Sequence, residues 1–384
     1  MKRNPRKRGI GANESLDDIR EQVRDVTRSI LKLAKARQTL SEKVARFKKA
    51  GHLDVEDKRI EEKLVSSMED YAIEIGLERN LAREITKGMI ESSKIVQRRS
   101  IYLEEIKAFL SERKISRVSI VGAGRMGCWF ASYFRPLVKS VALFDSDGKV
   151  AGRRARELGC EAIREPNEVG KADLIVVAVP ISRVSSEVKA LVQVASGTRS
   201  APRVIEVSSV KTPVLRELDG LQDGVHLISV HPLFGSSADH FACNSMIVIQ
   251  TSRGKSGLPF IRRVFPHYKI FAMSSGEHDK LMTLMLSLPH ALSIIFGEVV
   301  AKSGKVPEGL SGPSFQTMMQ ASRKVFSENP KVYFEIQSTN ENNAKMMEEI
   351  RSSLEHISSL LQEENYPAFK KFFEETAKYL ELGR

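Results

Sequence analysis

Gly122, Gly124 and Gly127 form a G-x-G-x-x-G directly behind the β-branched run Val118 to Val121, and Asp145 closes the next apolar run. This is the chemistry of a dinucleotide cradle. The first glycine permits a tight turn, the second lets backbone approach a pyrophosphate, and the third packs helix on strand, where the helix N-terminus offers free N–H groups and a positive dipole end. Arg125 and Met126 lie inside the motif, and Val179-Pro180 follows a later apolar run at the same edge of the expected sheet. A carboxylate at Asp145 can accept both ribose hydroxyls of NAD and repels a 2′-phosphate. Glycine-rich turns also occur in methyltransferases, so the order strand, turn, helix, strand, acid carries the assignment.

A second group of reactive types falls at the ends of later apolar runs. Val207-Ser208-Ser209-Val210-Lys211 and Val230-His231-Pro232-Leu233-Phe234-Gly235 both sit where an open parallel sheet binds ligands, beyond the carboxyl ends of its strands. His231 is the outstanding general-base candidate: a histidine at a strand end, followed by proline and a glycine-containing loop. Glu277-His278-Asp279 opens a helix that leads to Leu288-Pro289-His290.

A third group lies near the N-terminus. Apolar residues at 16, 19, 23, 26, 30 and 33, then 40, 44 and 47, make a 3-4 seam that position 37 interrupts with Arg37. A buried guanidinium requires an anion, although a seam polar residue can also serve only to fix coiled-coil register. Arg20 and Lys48 flank the same seam, so three cations can line one interior. Ser93 and Gln97, four apart, share a face of a later helix.

The elements that position these groups read as three regions. Leu16 to Lys49 is one helix about 50 Å long, more than a monomeric domain of this size needs, so pairing with a second chain is expected. Further helices are expected from Val55 to Ile75 and from Glu78 to Leu110. The sheet continues with strands at Leu174 to Val179, Val204 to Val207, Leu227 to Val230 and Met246 to Ile249, with helical or loop stretches such as Gly148 to Leu158 and Val184 to Val194 between them. A mostly parallel sheet covered on both faces follows. From there to Arg384 the pattern is helical, as a second dimerisation domain. The expected boundaries are a basic disordered tail over 1–13, an all-α module over 14–110, an α/β Rossmann domain over 115–273 and an all-α C-terminal domain over 274–384.

The chain has 384 residues, 41% hydrophobic and 28% charged, an ordinary soluble balance. Its net charge is +12, and five positive charges lie in Lys2 to Arg8 with no aromatic interleaving, so the excess is read as a solvated leader rather than a nucleic-acid surface. Apolar runs are broken short of the roughly 20 residues of a membrane span, and the basic N-terminus has no apolar core behind it, so a cytoplasmic protein is expected. Cys128, Cys160 and Cys243 are widely spaced, which implies neither disulfide nor zinc.

Residues 14 to 105 resemble the all-helical class of chorismate mutase. Arg20, Arg37 and Lys48 on the first helix, Asp57 and Glu61 on the second, and Ser93 and Gln97 on the third keep that family's spacing without a gap. The family has an arginine immediately before the glutamate, where this chain has Ile60, with Arg59 adjacent. The resemblance implies that chorismate is rearranged to prephenate by positioning and electrostatics. Arg20 from a partner subunit and Arg37 would hold the two carboxylates, Lys48 and Gln97 would donate to the ether oxygen, and Asp57 and Glu61 would hold the ring hydroxyl end. Arg59 would reach around to the place Ile60 leaves.

Residues 117 to 375 resemble prephenate dehydrogenase, on the glycine motif followed in order by Ser208-Ser209-Val210-Lys211, His231-Pro232-Leu233-Phe234-Gly235 and Glu277-His278-Asp279. The resemblance implies hydride transfer from the hydroxyl-bearing ring carbon of prephenate to NAD⁺ with loss of carbon dioxide. His231 would take the hydroxyl proton, Ser209 would orient that site, and Lys211 and His290 would contact substrate or cofactor. The family's substrate-binding arginine, six residues before an Asp/Asn-Pro proline, corresponds to Lys324, with Arg323 adjacent. Together the resemblances imply a homodimeric bifunctional enzyme of tyrosine biosynthesis without metal or a third, dehydratase-like region. The alternatives are a related dehydrogenase of arogenate or another small acid, and a non-catalytic NAD-responsive dimeric regulator.

Overall fold

Ser15 starts the first helix with a reciprocal cap: its hydroxyl accepts from the Asp18 N–H at 3.1 Å, and the Asp18 carboxylate accepts from the Ser15 N–H at 2.9 Å. The structure is a computed structural model and describes residues 15–195, 201–219, 225–250, 257–304 and 309–382. The basic leader expected over 1–13 lies outside the described residues. Two compact units are present, one holding the N-terminal helices through Phe109 with Ala238–Asn244 and Phe265–Tyr268, the other holding the remainder.

In the first unit α1 (Leu16–Ala50), α2 (Lys58–Glu74) and α3 (Arg79–Glu112) follow one another. Helix α1 is covered on one face of its C-terminal half only, and its apolar seam is open throughout, with Leu40, Val44 and Phe47 57%, 42% and 79% exposed. Ser41 and Ala45 are buried, whereas Leu16, Val23, Val26 and Leu33 are each more than 60% exposed. A contiguous apolar stripe of that kind marks an association surface. The interior is unusually polar, for Glu69, Ser93, Lys94, Gln97 and Arg98 are buried beside Ala45, Ala72 and Ile90. The two outlying segments pack on α3, where Tyr102 stacks on His267 at 5.5 Å and His267 stacks on Phe241 at 5.1 Å.

The second unit opens with β1 (Arg117–Val121), α4 (Arg125–Phe134), β2 (Ser140–Phe144), α5 (Gly148–Leu158) and β3 (Glu161–Ala162). It continues through β4 (Leu174–Val177), α6 (Ile181–Ala195), β5 (Arg203–Glu206), α7 (Thr212–Glu217), β6 (His226–Pro232) and β7 (Ser245–Ile249), then α8 (Leu258–Val264) and β8 (Lys269–Met273). The eight strands lie in the order β3-β2-β1-β4-β5-β6-β7-β8, all pairs parallel except β6 with β7. The apolar run expected to reach Val179 leaves the sheet after Val177. Ala178 still donates to the Val121 carbonyl at 2.8 Å, but Pro180 has no N–H to continue the ladder.

Helices α9 (Ser275–Met282), α10 (Leu288–Ser303), α11 (Pro313–Phe326), α12 (Pro330–Thr339), α13 (Asn343–Gln362) and α14 (Tyr366–Leu382) complete the unit. One turn of π-helix, Thr283–Ser287, joins α9 to α10 just ahead of Pro289, whose ring cannot supply the next helical N–H. Contrary to the expectation that apolar runs stay short, the stretch Ser275–Ser303 is long and apolar enough to cross a membrane by length and composition, with a mean hydropathy of 1.7 over an 18-residue window within it. Pro289 interrupts the run in sequence, but the helix resumes through it.

Candidate active sites

The glycine turn closes on its neighbours. Gly122 has φ +100°, and a Cβ there would strike the Ala178 carbonyl, so only glycine fits. A Cβ at Gly127 would strike the Gly122 carbonyl, which is the close helix-to-turn packing the motif requires. Gly124 caps α4, and a Cβ on it would meet nothing within 4 Å, leaving bare backbone facing open space at the helix N-terminus. Asp145 follows β2 and accepts from the Ala123 N–H at 2.8 Å and the Asp147 N–H at 2.9 Å, which aims its carboxylate across the mouth of the turn. Arg125 is exposed and pairs with Glu328 at 3.2 Å, Met126 and Val179 are half-buried, and Pro180 is exposed. These residues fit a dinucleotide: a glycine cradle, a helix N-terminus and a carboxylate at the end of the second strand.

At the carboxyl end of β6, His231 is buried, and its Nδ1 lies 2.9 Å from Nε2 of His278. His278, fully buried at the start of α9, turns its Nδ1 to Asp279 Oδ1 at 2.7 Å. Asp279 in turn accepts the backbone N–H groups of Lys211 at 2.9 Å and Thr212 at 2.8 Å. Burial pushes the Asp279 carboxyl up, but the hydrogen bonds from His278, Thr212 and Lys211 outweigh it and leave the group below its usual value. Burial, then the neighbouring His278 and Lys211, holds His231 well below the ordinary histidine range, so the ring is neutral.

Lys211 requires a correction. Expected to touch substrate or cofactor, it is fully buried, with Nζ donating to Glu206 at 2.7 Å and to the Val230 carbonyl at 2.7 Å. It is a strut beneath the site, fixing the backbone one residue before His231. Burial pulls its ammonium below the usual value against the Glu206 carboxylate. Ser208, rather than Ser209, joins that network, donating to Glu206 at 2.7 Å, while Ser209 is half-buried. His290 stacks edge-on against Tyr333 at 4.7 Å, and its Nδ1 is buried without a hydrogen-bond partner among the described residues. Arg323 and Lys324 are exposed in the last turn of α11.

In the first unit, Arg37 donates to the Met89 carbonyl at 2.5 Å and to the Ser93 hydroxyl, and burial lowers its pKa. Lys48 reaches the Val55 carbonyl at 2.7 Å, and Gln97 is buried with Oε1 unpartnered among the described residues. Asp57 caps α2, accepting from the Ile60 N–H at 3.1 Å, and Glu61 accepts from the Asp57 N–H at 3.3 Å. Arg59 is exposed beside an exposed Ile60 and does not fill the place of the missing arginine. Arg20 is not brought to the others. It pairs with Asp17 at 3.0 Å on the uncovered half of α1, about 25 Å along the helix from Arg37. Sequence reasoning missed Lys94, buried next to Ser93, whose Nζ lies 3.1 Å from Glu61. It also left His278, Asp279 and Glu206 without roles, although Glu277-His278-Asp279 was visible as a motif.

Comparison with known proteins matches residues 19–98 to "Chorismate mutase type II", 130–265 to "Prephenate dehydrogenase, nucleotide-binding domain" and 274–375 to "Prephenate dehydrogenase, dimerization domain". The stretch Ser275–Ser303 thus falls within the dimerization domain. A Methanocaldococcus jannaschii protein named "Probable arogenate/prephenate dehydrogenase" is 23% identical over 68% of this chain, which spans 60% of that relative's length. The T-protein of Enterobacter agglomerans is 20% identical over 92% of this chain and 90% of its own. The crystal structure of prephenate dehydrogenase from A. aeolicus with hydroxyphenyl propionate and NAD⁺ shares the fold at a TM-score of 0.57, with 21% identity over 70% of this chain and 98% of that one. The chain belongs to the prephenate dehydrogenase family and carries a type II chorismate mutase domain ahead of it, the arrangement of a bifunctional isomerase and NAD-dependent oxidoreductase.

Proposed function

We propose that the protein carries chorismate through two consecutive steps of tyrosine synthesis, rearranging it to prephenate in the helical module and oxidatively decarboxylating prephenate to 4-hydroxyphenylpyruvate with NAD⁺. The observation that carries the second step is His231: buried, neutral, engaged through Nδ1 and left with Nε2 for a substrate hydroxyl. That nitrogen takes the ring hydroxyl proton as hydride departs. Bound NAD⁺ supplies the hydride acceptor. Gly122, Gly124 and Gly127 with Arg125 and Met126 hold its pyrophosphate end, Asp145 its ribose, and Val179 and Pro180 border the cradle. Ser209 and His290 orient the substrate, and Arg323 or Lys324 pairs with its side-chain carboxylate.

For the first step, Arg37 and Ser93 bind a carboxylate, Lys48 and Gln97 donate to the ether oxygen, and Glu61 with Asp57 receives the ring hydroxyl end. Arg37 and Ser93 already contact each other, which supports this reading. The exposed seam of α1 and the exposed Arg20 support a homodimer in which each Arg20 enters the partner's site. The dimer is expected in the cytoplasm.

The test gives purified protein chorismate and NAD⁺ together and follows chorismate loss and NADH formation at once. Both signals are expected. Chorismate loss without NADH, with arogenate then giving NADH, would replace the second substrate; silence in both signals, with prephenate also inert, would overturn the reading in favour of a regulator.

A further inference from the structure

We propose that His278 and Asp279 are positioning residues that hold the proton of His231 on Nδ1 and its lone pair on Nε2, and that spread the positive charge formed when Nε2 takes the substrate proton. The proposal rests on the dehydrogenase reading above. It follows from which atoms can donate. Ionised Asp279 is an acceptor only, and it already takes two backbone N–H groups at the start of α7, so it is fixed in place. His278 must therefore present a proton at Nδ1, 2.7 Å from Asp279 Oδ1. A neutral His278 then has a bare Nε2, and the 2.9 Å contact to His231 requires the proton on Nδ1 of His231. The only tautomer of His231 compatible with this chain has Nε2 free to act as a base.

The ring planes are 71° apart with centroids 5.0 Å apart, and the rings meet through Nδ1 of His231 and Nε2 of His278. The charged groups facing the pair are Asp279 on α9 itself and, from the β5 side, Lys211 and Glu206. Lys211 opposes an imidazolium, Asp279 favours one, and Glu206 is occupied by Lys211 and the hydroxyls of Ser208 and Ser229. Burial keeps His278 neutral, against the pull of Asp279. If acid protonates His278, its Nε2 becomes a donor, His231 must turn its lone pair to it on Nδ1, and the base is lost.

The proton balance suits a buried relay. The hydroxyl proton passes to Nε2 as hydride leaves the same ring carbon for NAD⁺, giving a carbonyl. The electron pair of the bond to the ring carboxylate then moves into the ring as carbon dioxide departs, and the former carbonyl oxygen becomes a phenolate that takes the proton back from Nε2. The sum is prephenate plus NAD⁺ to 4-hydroxyphenylpyruvate, carbon dioxide and NADH. His231 ends as it began, and nothing need be exchanged with solvent.

The test compares Asp279→Asn, His278→Phe and His278→Gln with the unchanged protein, with chorismate mutase turnover in the same preparation as a folding control. Asp279→Asn and His278→Phe should lower kcat with prephenate about 100-fold with KM values for prephenate and NAD⁺ within about twofold, since tautomer and charge are lost but not binding. His278→Gln, whose amide oxygen can accept from His231 Nδ1, should recover part of the loss. Nitrogen NMR of labelled histidines, with His231 assigned by its absence in His231→Asn, should show the Nδ1–H tautomer in the unchanged protein and a mixture in Asp279→Asn. An Nε2–H tautomer in the unchanged protein, or an unaltered kcat in both disruptive variants, would overturn the proposal. So would a loss of kcat accompanied by weaker binding or lost mutase turnover. The spectrum is read without substrate, so a wrong substrate assignment and a wrong relay fail separately.

Discussion

The two candidate sites are built on opposite principles. In the helical unit the cations expected to hold substrate are long side chains on half-open surfaces. Arg37 is half-buried, Lys48 leans on the Val55 carbonyl, and Arg20 stands on an uncovered seam. In the dehydrogenase unit His231, His278, Asp279, Lys211 and Glu206 are sealed and each is fixed by a neighbour. The difference follows the chemistry. A pericyclic rearrangement moves no proton to the protein, so its charges need only converge on a dianion and one of them can come from another chain. Removing a hydroxyl proton as hydride leaves requires one nitrogen in one tautomer, and a dry, fully bonded setting provides that.

The comparison breaks most sharply at His231. His231→Asn should lower dehydrogenase kcat about 10⁴-fold, the upper end of what a positioned base supplies, and leave chorismate turnover unchanged. Arg37→Ala should do the converse, with mutase kcat/KM down about 10³-fold. Loss of both activities in either variant would sink the division into two independent sites. The shared character of the mutase site is tested by mixing two inactive proteins, Arg20→Ala and Arg37→Ala. If Arg20 crosses between subunits, each mixed dimer has one intact site, and a random equal mixture should recover about a quarter of normal mutase turnover. No recovery would place Arg20 outside the reaction.

What was legible in the sequence follows the same divide. The glycine turn and Asp145 could be read because a positive φ and a close carbonyl leave no choice of residue at Gly122. The helical module could be read because Arg37 breaks a seam whose period is visible along one helix. The relay could not be read: His231 and His278 are 47 positions apart, and only the return of α9 beneath β6 brings their nitrogens together. Lys211 was misread for a related reason. A lysine at the end of a strand looks the same in sequence whether it points into a site or under it, and the deciding partner, Glu206, is an unremarkable position in β5. Lys94 was hidden because helical charges are ordinarily solvated, and its burial against Glu61 depends on how α2 lies on α3.

Acid should separate the units more gently. His231 must be neutral to act, and its value lies well below 6.5, so dehydrogenase turnover should persist below pH 6.5 and fall only at lower pH. In the helical unit burial takes His267 to about 4 from 6.5. Between those values the unfolded chain binds the proton and the folded unit does not, so stability is intact above pH 6.5 and drains away as pH falls toward 4, by about 3 kcal/mol in all. Thermal melts of the unchanged protein and His267→Phe over this range check it, since the variant should lose most of the slope.

The smallest expected effect concerns Asp57, which has two claims on it. Its side chain caps α2, accepting from the Ile60 N–H at 3.1 Å, and its own N–H is held by Glu61, which the reaction would use. As a cap alone it is worth about 1 kcal/mol, so Asp57→Ala should lower the melting temperature of the helical unit by a few degrees. Asp57→Asn caps equally well and should melt like the unchanged protein. Mutase kinetics then divide the claims. If the cap is the whole contribution, Asp57→Asn keeps normal kcat/KM; if the carboxylate itself steadies the ring hydroxyl end, Asp57→Asn loses turnover at full stability. The second outcome would make even this half-open site depend on one exact charge, and would narrow the contrast with the sealed relay around His231.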